Sequence, residues 1–146
     1  MSASRFGAKT VLPDRSARDG AVPLPSLPEI SDAIVGLYKH AFGRGPTKAR
    51  TQFAGPDTVL IVLEDAFTET EKTLLALGET GRVRESRLVI QQALEPRVRS
   101  TVEQVLGRRT VAFMTGVDVR HGIAINVCTI VPALSEGRHY PGDRSG

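Results

Sequence analysis

Every residue from Val59 to Leu63 is apolar, within a run from Thr58 to Glu64 flanked by Gly55-Pro56-Asp57 and by Asp65. A run of that length between turn residues reads as a strand buried on both faces. A strand of this kind must pair with others and be covered twice, so a simple helical bundle is excluded. The preceding segment, Thr47 to Ala54, alternates Ala49, Thr51 and Phe53 with Lys48, Arg50 and Gln52. Two such segments across a short turn predict an antiparallel hairpin.

A second hairpin is legible near the end. Thr110 to Val119 sets Val111, Phe113, Thr115 and Val117 against Ala112, Met114 and Gly116. Arg120-His121-Gly122 turns the chain, with Asp118 and Gly122 as structural turn residues, and Ile123 to Val131 returns. Asp118 with His121 could alternatively form an acid–base pair, but a tight turn accounts for both Asp and Gly.

The remaining pattern is helical. Ser26 and Glu29 match a capping box ahead of Ile30, Ala33, Ile34, Leu37, Tyr38 and Ala41, which share one helical face. Gly43 ends that helix. Thr68 and Glu71 form a second capping box, opening a short helix with Leu74, Leu75 and Leu77 that Gly78 closes. A longer helical segment covers Thr80 to Leu106, with an inner stripe of Val83, Ile90, Leu94, Val98, Val102, Val105 and Leu106. Pro96 implies a kink there, or two helices meeting at Glu95-Pro96. The arginines at 82, 84, 87, 97 and 99 read as a solvated, salt-bridged face.

The expected order is α-β-β-α-α-β-β. It forms an α/β (α+β) two-layer sandwich in which a four-stranded antiparallel sheet from two hairpins carries helices on one face. Residues 1–25 read as a disordered arm, 26–132 as a single domain and 133–146 as a flexible tail. The apolar residues on both sides of Val59–Leu63 call for an extra helix or a second subunit, so a homodimer is a plausible assembly.

Composition narrows the function classes. The 146 residues carry a net charge of +3. Residues 1–25 hold four basic and two acidic groups and residues 133–146 hold two of each, leaving 13 basic against 12 acidic in between. A nearly neutral domain places nucleic-acid binding last among the readings. No apolar run approaches the roughly 18–20 residues that cross a bilayer, so no membrane insertion of its own is expected, and a cytoplasmic location is the default. Cys128 is the only cysteine and reads as a packed, inert thiol. No metal motif, cofactor fingerprint or catalytic triad is present, so neither a cofactor nor an enzymatic activity is expected.

Gly43-Arg44-Gly45-Pro46 is the remaining candidate. A glycine-rich turn exposes backbone N–H groups, and Arg44, Gly45, Lys48 and Arg50 could together hold a carboxylate or phosphate. Phosphate loops, however, lead into a helix N-terminus, whereas this turn follows a helix C-terminus. A C-cap at Gly43 and a proline, Pro46, aiming the next strand form the structural reading.

From Ile30 to Ile130 the chain resembles the MpsC-like family of small bacterial proteins. The pieces that carry the resemblance begin with Phe42-Gly43-Arg44-Gly45-Pro46, the strand Thr58 to Glu64, and Phe67-Thr68-Glu69-Thr70-Glu71-Lys72. They continue with Glu95-Pro96, Leu106-Gly107-Arg108 and the hairpin with Asp118. The resemblance implies a non-enzymatic, soluble accessory subunit of a cation (Na+)-translocating system that generates membrane potential, with a link to inorganic-carbon uptake. Its partners would be separate membrane ion-transport subunits, which it would meet at the inner membrane face. A small-anion or metabolite-binding regulatory module is the alternative.

Overall fold

The computed structural model describes residues 26–132; the expected arm and tail lie outside them. The elements are α1 (Leu27–Phe42), β1 (Lys48–Phe53), β2 (Thr58–Glu64), α2 (Glu69–Ala76), α3 (Thr80–Ala93), α4 (Glu95–Leu106), β3 (Thr110–Asp118) and β4 (Ile123–Ile130). The strands form one antiparallel four-stranded sheet in the order β1-β2-β4-β3. The α+β architecture and both hairpins are as the pattern predicts. The middle holds three helices rather than two.

That difference has a local cause. Leu94 ends α3 and opens α4, and Pro96 falls in the first turn of α4. At that position the missing N–H would have no intrahelical partner anyway. The proline therefore begins a new helix instead of kinking an old one.

Two of the helix boundaries follow the caps expected of them and one, at Ser26, does not. Gly43 takes φ 84° and donates its N–H to the Lys39 carbonyl. Thr68 and Glu71 form the reciprocal capping box. Ser26 does not: its side chain makes no cap bond, and only its carbonyl receives the Glu29 N–H. The first helix instead starts with a proline in its first turn, which is pre-set for helical φ.

The helix-covered face is the core. Val59, Ile61 and Leu63 of β2 lie opposite Cys128, Asn126 and Ala124 of β4, and all six are buried. Ile30, Ile34 and Tyr38 from α1 and Leu94, Val98 and Val102 from the α3–α4 segment complete this cluster. A smaller cluster of Phe67, Val83 and Val119 sits toward α2. Ala33, expected on the inner face of α1, is exposed, and Ser31 is buried in its stead, sharing a 2.8 Å hydrogen bond with Thr51. Leu77 is also exposed, at the end of α2.

Among the described residues no helix packs on the opposite face of the sheet. Leu60, Val62, Ile125, Val127 and Met114 point there and belong to neither core cluster.

Candidate functional site

The Gly43–Pro46 turn is built to clamp two loops together. Gly45 packs so closely on α1 that a Cβ there would stand 3.1 Å from the Val35 carbonyl oxygen and 3.3 Å from Lys39 Cβ. Pro46 is buried beside it. Arg44 then reaches the loop between β2 and α2. Its Nη1 donates to the carbonyls of Asp65 at 2.6 Å and Phe67 at 2.9 Å, and its Nη2 meets Asp65 Oδ2 at 2.9 Å. Thr47 adds a 3.0 Å hydrogen bond to the same carboxylate oxygen. These bonds, Arg44's first, hold the Asp65 carboxyl below its ordinary range. Asp65 also takes φ 54°, the one non-glycine residue with positive φ among those described.

The guanidinium that the sequence offers to an anion is thus occupied by an internal partner. Lys48 and Arg50 lie elsewhere, along an open cleft of about 550 Å³ between α1 and β1. Asp32 and Glu64 line the same cleft, and Arg50 pairs with Glu64 at 2.9 Å. The proposed set therefore divides. Arg44 and Gly45 serve the turn, while Lys48 and Arg50 border a cleft of mixed charge.

Asp118 and Gly122 form the tight turn between β3 and β4. Asp118 Oδ1 accepts the N–H groups of Arg120 at 2.9 Å and His121 at 3.2 Å, and Gly122 takes φ 67°. Asp118 Oδ2 stands 3.1 Å from His121 Nδ1. This contact, chiefly, lowers the Asp118 carboxyl below its usual range. The pair is exposed at the rim of a second cleft of about 450 Å³, with Arg84 and Arg120 nearby.

Arg87 is the residue that sequence reasoning misplaced. It is fully buried rather than on a solvated face. Its guanidinium lies 3.8 Å from the Phe42 ring centroid and 5.0 Å from that of Phe67. Nη2 donates to the Ala66 carbonyl, and Nε faces Glu71 at 3.4 Å. Burial pulls its pKa down, with Glu71 opposing. The signal was in the stripe itself. From Val83 to Ile90 the apolar pattern skips a full turn, and the residue left on the inner face is Arg87.

A polar chain runs beside it through the core. Gln91 Nε2 donates to Thr115 Oγ1 at 2.7 Å, Thr115 Oγ1 donates to Asn126 Oδ1 at 2.8 Å, and Asn126 Nδ2 donates to the Tyr38 hydroxyl at 3.1 Å. It links α3, both strands of the second hairpin and α1. Buried polar groups joined this way fix a single packing arrangement. Cys128 lies in the same layer, and burial pushes its thiol up to about 11. It is a packing residue with little thiolate at neutral pH.

Among the described residues no group of three or more His, Cys, Asp or Glu side chains is placed to hold a metal ion. No helix among them is long and apolar enough to cross a membrane.

The chain matches a known family. The family model described as "Na+-translocating membrane potential-generating system (MpsC)" covers residues 27–131, from the first helix to just past the last strand. No curated protein and no solved structure matches the chain.

Proposed function

The chain belongs to the MpsC family, and from that premise we propose that it is a non-enzymatic accessory subunit of a Na+-translocating, membrane-potential-generating system. The observation that carries this reading is the family match across the whole folded domain, residues 27–131. The proposal assigns the ion path to separate membrane subunits, since no helix of the described residues is long and apolar enough to cross a bilayer. This chain would sit on the cytoplasmic side and reach the membrane through those partners. A link to inorganic-carbon uptake is part of the same proposal.

The experiment is a deletion of the gene in its native host, with membrane potential read by a voltage-sensitive dye at varied external Na+. The reading expects a loss of the Na+-dependent component, restored by the intact chain. An unchanged potential at every Na+ concentration contradicts it.

A second reading, a regulatory module for a small anion, is favoured by Lys48 and Arg50 on one cleft. It would work without Arg44, whose donors face Asp65 and Phe67. A thermal-shift screen with bicarbonate, nucleotides and phosphorylated metabolites tests it. A response abolished by Lys48→Ala with Arg50→Ala supports the cleft, and a flat response removes it.

A further inference from the structure

Among the described residues the sheet is covered on one face only, and the other face has a definite pattern. Across it, Gln52, Leu60, Val127 and Met114 form one row, and Arg50, Val62, Ile125 and Gly116 form the next. One step further toward the same end, Lys48 lies beside Glu64 on one side and Asp118 beside Ile123 on the other. The middle two strands therefore present a block of branched apolar side chains. Met114 extends that block to the β3 edge and is 63% exposed. The β1 edge carries Lys48 and Arg50, Arg50 being paired with Glu64 at 2.9 Å, so Lys48 gives that edge its net positive charge, and the β3 edge ends in the carboxylate of Asp118.

We propose that this face is the interface between two copies of the chain, packed sheet on sheet about a twofold axis parallel to the strands. Such an axis reverses strand order across the interface. β1 of one copy lies over β3 of the other, and β2 over β4. Leu60 then meets the partner's Val127 and Val62 meets the partner's Ile125, in sheets about 10 Å apart. Both apolar rows stay level with themselves, so the patch is self-complementary, as an isologous contact requires.

Charge selects this axis over its alternative. A twofold running across the strands would stack β1 on the partner's β1 and leave Lys48 the width of the sheet away from the partner's Asp118. The axis along the strands sets Lys48 over the partner's Asp118. Asp118 gives Oδ1 to the turn N–H groups and Oδ2 to His121 at 3.1 Å, but its side chain is half exposed, so its charge stays open to a cation across the interface. An exposed pair of this kind adds little affinity but fixes orientation, while the apolar block supplies the attraction. The inference rests on the sheet alone and stands apart from the membrane-system reading.

The test is sedimentation of the full chain over a concentration series. A dimer is expected. Met114→Glu, at an exposed position that leaves the fold intact, and Val62→Lys should each raise the dimer dissociation constant about tenfold or more. Circular dichroism confirms that each variant is folded. Lys48→Glu should also weaken the dimer by setting like charges together. Adding Asp118→Asn, which keeps the turn acceptor, should recover much of that loss. A chain that stays monomeric to about 100 µM overturns the proposal, as does a dimer indifferent to both Met114→Glu and Val62→Lys. A monomer whose Met114→Glu variant loses capture of a membrane protein would overturn it too, and would assign the face to that protein.

Discussion

Arg44 holds Asp65 twice, through the side-chain carboxylate and through the backbone carbonyl of the same residue. The contact joins the turn after α1 to the turn after β2, two loops far apart in sequence. It also sustains a left-handed backbone at a residue with a Cβ. An arginine fork suits this task because its donors lie in one plane with fixed spacing. Lys has a single ammonium and cannot reproduce it.

The Asp65 contact makes a prediction about acid. Its folded pKa lies below the ordinary carboxylate value of 3.8, so its contribution to stability is fully present above that value. It is lost as pH falls through the lower, folded pKa. Asp118 and Glu103 shift in the same direction. Urea midpoints measured from neutral pH down to about pH 2 should therefore fall steeply at the acid end. In Arg44→Ala the fall should be shallower, because the largest cause of the Asp65 shift is removed while the Thr47 hydrogen bond remains.

Arg87 should be the most sensitive charged position. Arg87→Ala leaves Glu71 facing an empty, dry site and strips the cover from Phe42 and Phe67. A loss of about 3–5 kcal/mol is expected from breaking a buried pair in this way. Arg87→Lys should recover little of it, since an ammonium does not stack flat on a ring. Urea denaturation of the two variants checks both statements.

Much of this fold was legible because its signals are local. Thr58–Glu64, the Thr68–Glu71 capping box and the Asp118–Gly122 turn each depend on residues close in sequence. What escaped depends on contacts across the fold. Arg87 among five scattered arginines looks like a surface charge until Phe42, Phe67 and Glu71 converge on it. The same holds for Arg44, whose partner Asp65 lies on another loop. Ser26 and Ala33 failed in the opposite way. A valid local pattern was present, but the start of α1 follows its proline, and Ser31 takes the inward place against Thr51.

Gly45 should not accept a side chain. A Cβ there would stand 3.1 Å from the Val35 carbonyl oxygen and 3.2 Å from Val35 Cγ1. Backbone cannot yield as a flexible side chain can, so α1 would have to move. Gly45→Ala should cost about 1–3 kcal/mol by overpacking, read as a lowered melting temperature. Gly36→Ala, at a position open around its Cβ, should cost nothing and should gain slightly through helix propensity.

Cys128 should report on unfolding and nothing else. Its thiol is raised from 9.0 to about 11 by burial. The native state keeps the proton that the unfolded chain releases above pH 9.0, so stability is full below that pH and declines between there and about 11. A thiol-reactive dye at pH 8 should label the folded chain only at the rate of opening. Urea should accelerate labelling in step with the loss of structure.

Attachment to a membrane ion-transport system can be tested by affinity capture. The tagged full chain would be recovered from detergent-solubilised membranes of its native host, and the bound proteins identified by mass spectrometry. A membrane protein with ion-transport activity should be recovered, retained in more than one detergent. Recovery of no such protein in any detergent, from membranes that contain the chain at native level, would contradict it.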